Sequence, residues 1–298
     1  MQAPQHTNGD TMTSTPDGLE LRAGPLRLAL RPDVGGSIAG LWHHDLPVLR
    51  SIEPGALSNA RAAGAYALVP YSNRIGYSRF PWAGRTWSTR PNFDDSRHSV
   101  HGVGYQRAWE VVASDTSSAT LRLHHRPDED WPFEFEAVHQ IELGESGLSL
   151  GLTLTNRGDA EAPFGLGWHP HFPKRTRSRI HAELSGRWDL DEALLPVRHV
   201  VQQHGIDGDV AHLRYDNVFT GWQQSARIRD ERFSMLLTSS LPYLVVYTPE
   251  LYDFYCVEPV SHVSNALNLD DPSGHGVVSL APGASTSAWM KLQIEEAR

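Results

Sequence analysis

Two histidines spaced i, i+2 among glycines and prolines, in Gly165-Leu-Gly-Trp-His169-Pro170-His171-Phe172-Pro173, are the most concentrated chemistry in the chain. On an extended backbone both imidazoles point to one face. Three uses fit such a pair: metal ligation, proton transfer, or packing within a loop. A metal needs a third and usually a fourth ligand, and no HExxH pattern completes the set. A second segment, Tyr252-Asp-Phe-Tyr-Cys256-Val-Glu258-Pro259, reads as a buried strand with Phe254, Cys256 and Glu258 on one face. A carboxylate ending such a strand is either paired or held with a raised pKa for proton transfer, and the spacing leaves both open. Pro259 ends the strand, and the polar loop carrying Asn265, Asn268, Asp270 and Asp271 places Glu258 at a rim where ligands bind.

Two further segments are weaker alone. His98-Ser-Val-His101-Gly102-Val-Gly104 puts two histidines beside glycines, and Pro70-Tyr-Ser-Asn73-Arg74-Ile75-Gly76 puts Asn73 and Arg74 beside a glycine turn. The glycines permit close approach of a ligand to the backbone, and turn geometry accounts for them equally. His43/His44 and His124/His125 sit at strand ends, where adjacent residues point to opposite faces, so each pair has a solvent-facing member.

The elements that must position these groups read as strands. Runs of five to eleven residues such as LRLALRP, ATLRLHHRP, FEFEAVHQIEL and FSMLLTSS alternate with period two between Gly, Pro, Asn and Asp clusters. In Leu148–Asn156 the leucines 148, 150, 152 and 154 share one face and Ser149, Gly151, Thr153 and Thr155 the other. Candidate helices are confined to Ala60–Ala67, which reads equally as loop or strand, and a turn near Asp189–Leu195. The expected fold is all-β, a large antiparallel sandwich or barrel-like double sheet. Residues 1–16 lack large apolar side chains and are expected to form a loose tail; no repeat, linker or composition break divides residues 17–298.

The chain has 298 residues and a net charge of −9, with no Lys/Arg-rich block. Nucleic-acid binding would lack its electrostatic footprint. Lys174 and Lys291 are the only lysines, which disfavours Schiff-base and phosphate-loop chemistry. Cys256 is the only cysteine, so a disulfide within the chain and a cysteine-cluster zinc site are ruled out and a reducing, cytoplasmic setting is expected. The N-terminal stretch has no basic start followed by an apolar run, so a secretory signal is not expected. No window approaches the ~18 apolar residues of a membrane helix, so no membrane role is expected.

Taken in order, these segments resemble the aldose 1-epimerase (galactose mutarotase) family. The resemblance runs from Leu30-Arg-Pro-Asp-Val-Gly35-Gly36 through Asn73-Arg74-Ile75, Arg79-Phe80…Gly84…Trp87…Asn92, His101-Gly102, Trp168-His169-Pro170-His171-Phe172 and Tyr215-Asp216 to Val257-Glu258-Pro259…Asn265. It implies an antiparallel β-sandwich with a sugar cleft, a monosaccharide substrate, and interconversion of the α and β anomers of a free aldose without a cofactor. By position, His169 matches the general acid toward the ring oxygen and Glu258 the general base toward the C1 hydroxyl. His101 matches a second pocket histidine, and Arg74 and Asp216 match groups that hold sugar hydroxyls, with Asn73 supporting the loop. His171 stands where the family usually has Tyr, and His98 where Asn is frequent; both are expected to line the cleft and tune sugar preference, and the alternative reading is that they pack within the sandwich. The competing readings are a sugar-phosphate mutarotase, a non-catalytic sugar-binding protein on the same sandwich, and a cupin-like metal enzyme using His98, His101, His169 and His171.

Overall fold

The computed structural model describes residues 18–93 and 96–297. The expected tail at residues 1–16 lies outside the described residues. Strands dominate, every pairing between them is antiparallel, and no α-helix occurs among the described residues. The alternation read in the sequence is the reason. Gly147–Asn156 buries every second side chain, Leu148 to Asn156, and its neighbour Phe135–Gly144 buries Phe135, Ala137, His139, Ile141 and Leu143. The two pair along their full length.

They lie within a nine-stranded sheet that runs from Glu110–Ser114 at one edge, through Ser285–Glu296, to Ile206–Asp209 at the other. An eight-stranded sheet carries Asp216–Thr220, Tyr243–Tyr247, Phe254–Val260, Gly167–Trp168 and Ala67–Leu68 in that order, and His171–Pro173 also pairs with Phe254–Val260. Leu150, Leu152 and Leu154 from the first sheet share one buried apolar cluster with Trp168, Val246, Tyr255 and Val257 from the second. A hydrogen bond crosses between the sheets: the indole N–H of Trp168 donates to Nε2 of His139 at 3.1 Å. The fold is therefore the antiparallel β-sandwich expected.

Phe254–Val260 departs from the half-exposed pattern, with all its residues after Phe254 buried. Tyr255 and Val257 join the core, so Cys256 and Glu258 point to the opposite face of the sheet. Ala60–Ala67 is a single 3-10 turn at Ala60–Ala62 leading to the short strand Ala67–Leu68. The segment near Asp189–Leu195 splits between a strand ending at Leu190 and a turn closed by Asp191, whose carboxylate accepts the N–H groups of Ala193 and Leu195.

Gly102 shows why a glycine is needed beside His101. Its φ is +71°, and a Cβ there would stand 2.1 Å from the Val69 carbonyl oxygen. The close approach is between two pieces of chain. Gly84 also has positive φ, +77°, but with open space around it. Gly84→Ala is expected to cost about 1 kcal/mol, the conformational penalty alone. Gly102→Ala adds a backbone clash and is expected to cost clearly more, about 2–4 kcal/mol. Equal midpoint shifts for the two variants in denaturant titrations would contradict this account.

Candidate active site

The eight-stranded sheet opens into a cleft of about 760 Å³ whose lining includes Asn73, Arg74, His101, His169, Asp216 and Glu258. His169 follows the short strand Gly167–Trp168, which is wedged between Val260 on one side and Ala67–Leu68 on the other. Its N–H donates to the Tyr66 carbonyl at 3.0 Å, which fixes its height above the sheet. Glu258, opposite Val245 in the register, brings Oε1 within 3.4 Å of His169 Nε2. An imidazole and a carboxyl thus meet at the cleft floor, 8% and 2% exposed.

His101 reaches the same point from a different loop. Its backbone N–H donates to the Asn73 carbonyl at 2.8 Å, and its Nδ1 accepts the Asn73 N–H at 3.2 Å. With Nδ1 accepting, a neutral ring carries its proton on Nε2. That ring lies edge-on to His169, centroids 4.9 Å apart. Arg74 donates to Asn73 Oδ1 and to Asp216 Oδ2, both at 3.1 Å. Asn73 Oδ1 also accepts from the Ser264 hydroxyl, so Asn73 braces Arg74 while lining the cleft.

Burial sets the charge state. It pushes His169 down to about 3, with the Arg50 guanidinium adding to the effect. His101 is pushed well below its ordinary value by burial, then by His169 and Arg74. Glu258 is pushed well above the usual carboxylate range by burial, with Asp216 adding and Arg74 opposing. Both members of the 3.4 Å pair thus disfavour their charged forms, which favours a neutral imidazole beside a protonated carboxyl. One proton shift from Glu258 to His169 produces imidazolium and carboxylate without changing the total charge.

Of the two residues expected to line the cleft, His98 borders it and His171 does not. His171 is 3% exposed and absent from the cleft lining. Its ring stacks on that of His169 at 4.4 Å, and it pairs in register with Cys256. It shares the face that the i, i+2 spacing indicated, but not the cleft surface. His98 does border the cleft, yet both its ring nitrogens are engaged within the protein: Nδ1 accepts the Tyr77 N–H at 2.8 Å and Nε2 donates to the Ala193 carbonyl at 3.0 Å. It fastens the 191–195 turn to the cleft wall, which leaves neither ring nitrogen for a sugar. The cupin-like ligand set of His98, His101, His169 and His171 does not assemble among the described residues. Tyr77, Tyr247 and Leu194 also line the cleft; their positions depend on turns and register that no spacing in the sequence marked.

A family model described as aldose 1-epimerase matches residues 17–293. The uncharacterized protein YphB of Escherichia coli is 32% identical over 292 residues, covering 92% of this chain and 98% of that protein. A putative aldose 1-epimerase of E. coli superposes with a TM-score of 0.83 at 30% identity, covering 93% of this chain and 98% of its own. A galactose mutarotase-like protein from Clostridium acetobutylicum gives a TM-score of 0.80 at 21% identity, covering 93% and 95%.

The buried imidazoles also set the acid limit of the fold. Burial lowers His139 and His262 to about 4 and His169 to about 3, and holds His101 and His171 well below 6.5. As pH falls below about 6.5, the unfolded chain binds protons that the folded chain refuses, so stability drops. Glu258 acts in the opposite sense: the folded state keeps a proton that the unfolded chain releases above about 4.5. One carboxyl cannot offset five imidazoles. Denaturant titrations are expected to show unfolding free energy falling steeply from pH 6.5 to 5, and a flat profile over that interval would contradict the neutral, buried state.

Proposed function

We propose that this chain, which belongs to the aldose 1-epimerase family, interconverts the α and β anomers of a free aldose by acid/base opening and reclosure of the sugar ring. The observation that carries the reading is the 3.4 Å contact between His169 Nε2 and Glu258 Oε1 on the cleft floor. Mutarotation needs two proton transfers at atoms a bond or two apart, one at the C1 hydroxyl and one at the ring oxygen. A pair of exchangeable groups spaced for neighbouring oxygens meets that need.

With the proton on His169, the Glu258 carboxylate takes the C1 hydroxyl proton while the imidazolium gives its proton to the ring oxygen. The C1–ring oxygen bond breaks and C1 becomes a carbonyl. Rotation about the C1–C2 bond presents the other carbonyl face, and both transfers reverse on closure. In this reading the His101 Nε2–H donates to oxygen at the reacting centre as charge develops there, which its position in the cleft lining supports. Arg74 and Asp216, already paired to each other at 3.1 Å, offer charge-assisted hydrogen bonds to sugar hydroxyls. The dry setting that makes the pair neutral at rest strengthens each of these interactions. Treating residues 17–298 as one unit is supported by a single buried cluster that runs from Leu21 to Ile294.

The direct test is polarimetry or NMR of freshly dissolved α-glucose, galactose, arabinose, xylose and fucose. At least one sugar is expected to equilibrate much faster with the protein. Saturable aldose binding without acceleration would identify a sugar-binding protein instead. Glu258→Gln keeps the shape and cannot accept the C1 proton, and His169→Asn removes the acid; each is expected to lower turnover by about 10²–10⁴-fold while the protein stays folded. Near-normal turnover in either folded variant would remove that residue from the mechanism.

A second expectation concerns metals. The proposed proton transfers use only side chains, so turnover is expected to survive exhaustive dialysis against a chelator. Loss of activity that only a restored divalent ion reverses would overturn the side-chain mechanism.

A further inference from the structure

We propose that His169, His171 and Cys256 form a binding site for a thiophilic divalent cation of the zinc class, and that its occupation switches off proton transfer at the cleft floor. The proton-transfer reading gives no role to Cys256 or to the ring nitrogens of His171, yet the fold brings them together. Cys256 and His171 face each other in register across the pairing of His171–Pro173 with Phe254–Val260. His171 stacks on His169 at 4.4 Å. One ring nitrogen from each histidine and the Cys256 sulfur all lie within 4.8 Å of one another, and all three residues are buried.

The donor types select the ion. Two imidazoles and a thiol suit zinc and its softer relatives, and are poor ligands for magnesium or calcium. Tetrahedral zinc needs donor separations of roughly 3.3–3.6 Å. The three donors therefore close by no more than roughly 1.5 Å, within reach of rotation about the side-chain torsions. Both imidazoles rest neutral because burial disfavours their charged forms, so each has a lone pair to offer. Nδ1 of His169 and Nδ1 of His171 are buried without a hydrogen-bond partner, so packing leaves a polar atom on each ring uncompensated. The thiol loses its proton to solvent as the sulfur–metal bond forms. His169 lines the cleft, which gives the ion a route in, and water from the cleft would complete the coordination. Arg50 faces the same histidines and opposes any cation there. The site thus favours ions that form strong bonds to nitrogen and sulfur over ions held by charge.

Coordination through a His169 nitrogen ties up the lone pair that must take and give the proton. This half of the proposal rests on the mutarotase reading; the binding half does not.

The test uses the full chain. Equilibrium dialysis against Zn²⁺ is expected to give one tight equivalent, and Co²⁺ loading is expected to give a thiolate-to-cobalt charge-transfer band. Cys256→Ala is expected to lose that band, to weaken Zn²⁺ binding about 10-fold or more, and to keep basal mutarotation while losing its sensitivity to Zn²⁺. Tight zinc binding that Cys256→Ala leaves unchanged would overturn the site and assign the metal elsewhere, for example to the more exposed His43, His44 and Glu296 group. The absence of a saturable equivalent, or of a thiolate band in the cobalt form, would also overturn it. A cysteine-dependent equivalent that leaves sugar turnover untouched would overturn the switching half alone. If no aldose is turned over at all, dialysis and the cobalt spectrum still decide the binding half, so the two readings fail separately.

Discussion

The approach of His169 to Glu258 depends on how closely two strands and their neighbours can run. Gly167 pairs with Val260 and with Leu68, and a Cβ at Gly167 would stand 2.9 Å from the Pro259 carbonyl oxygen. Only a bare backbone fits that slot without displacement. The slot sets where the next residues emerge, so the carboxyl on one strand and the imidazole after the other meet at 3.4 Å. The same arrangement buries both groups, and burial disfavours their charged forms. Geometry and protonation state therefore have one cause.

A neutral resting pair reconciles two demands. An imidazolium beside a carboxylate in a dry cleft would carry a large desolvation penalty. Neutral partners avoid it, and the ionised arrangement is one short proton shift away. Arg74 favours that shift because it lowers the proton affinity of Glu258, whereas Asp216 raises it. Their mutual pairing tempers both influences, so a hydroxyl that competes for either side chain changes the balance at the pair. In the proposed reaction, sugar binding and proton position would be linked through this contact.

Period-two alternation was enough to read the sandwich, because one face of most strands must be apolar whatever the connections are. The convergence of His101, His169 and Glu258 was legible only through the resemblance of ordered motifs, since nothing in local spacing brings residues 101, 169 and 258 together. Spacing did place His169 and His171 on one side of the chain, and the stacked rings agree. It could not show that one ring covers the other, because periodicity sets direction and says nothing of depth. His98 illustrates a second limit: the group that accepts the hydrogen bond from its Nε2–H is a carbonyl 95 residues away. The Ala60–Ala67 segment, which spacing left open between helix, loop and strand, holds one 3-10 turn at Ala60–Ala62, after which the N–H groups of Gly64 and Ala65 donate to the Ile38 carbonyl.

The backbone around the cleft is less regular than the sheets that carry it. Asn73, Tyr77, Ser78, His101 and Asn265 all have φ between +53° and +64°. Side chains rarely adopt that region, and each instance costs about 1–3 kcal/mol unless its surroundings enforce it. Here the enforcement is mutual. Asn73 and His101 exchange hydrogen bonds in both directions. Asn265 donates its N–H to the Arg74 carbonyl and accepts the Gly76 N–H on Oδ1. Three separate loops are locked to one another at the positions that present Arg74 and His101 to the cleft. The long, evenly paired strands supply the stability that these loops use, and the loops fix donor and acceptor directions before any ligand arrives. The rigid sheet floor holds His169 and Glu258, and the strained loops hold the groups around them.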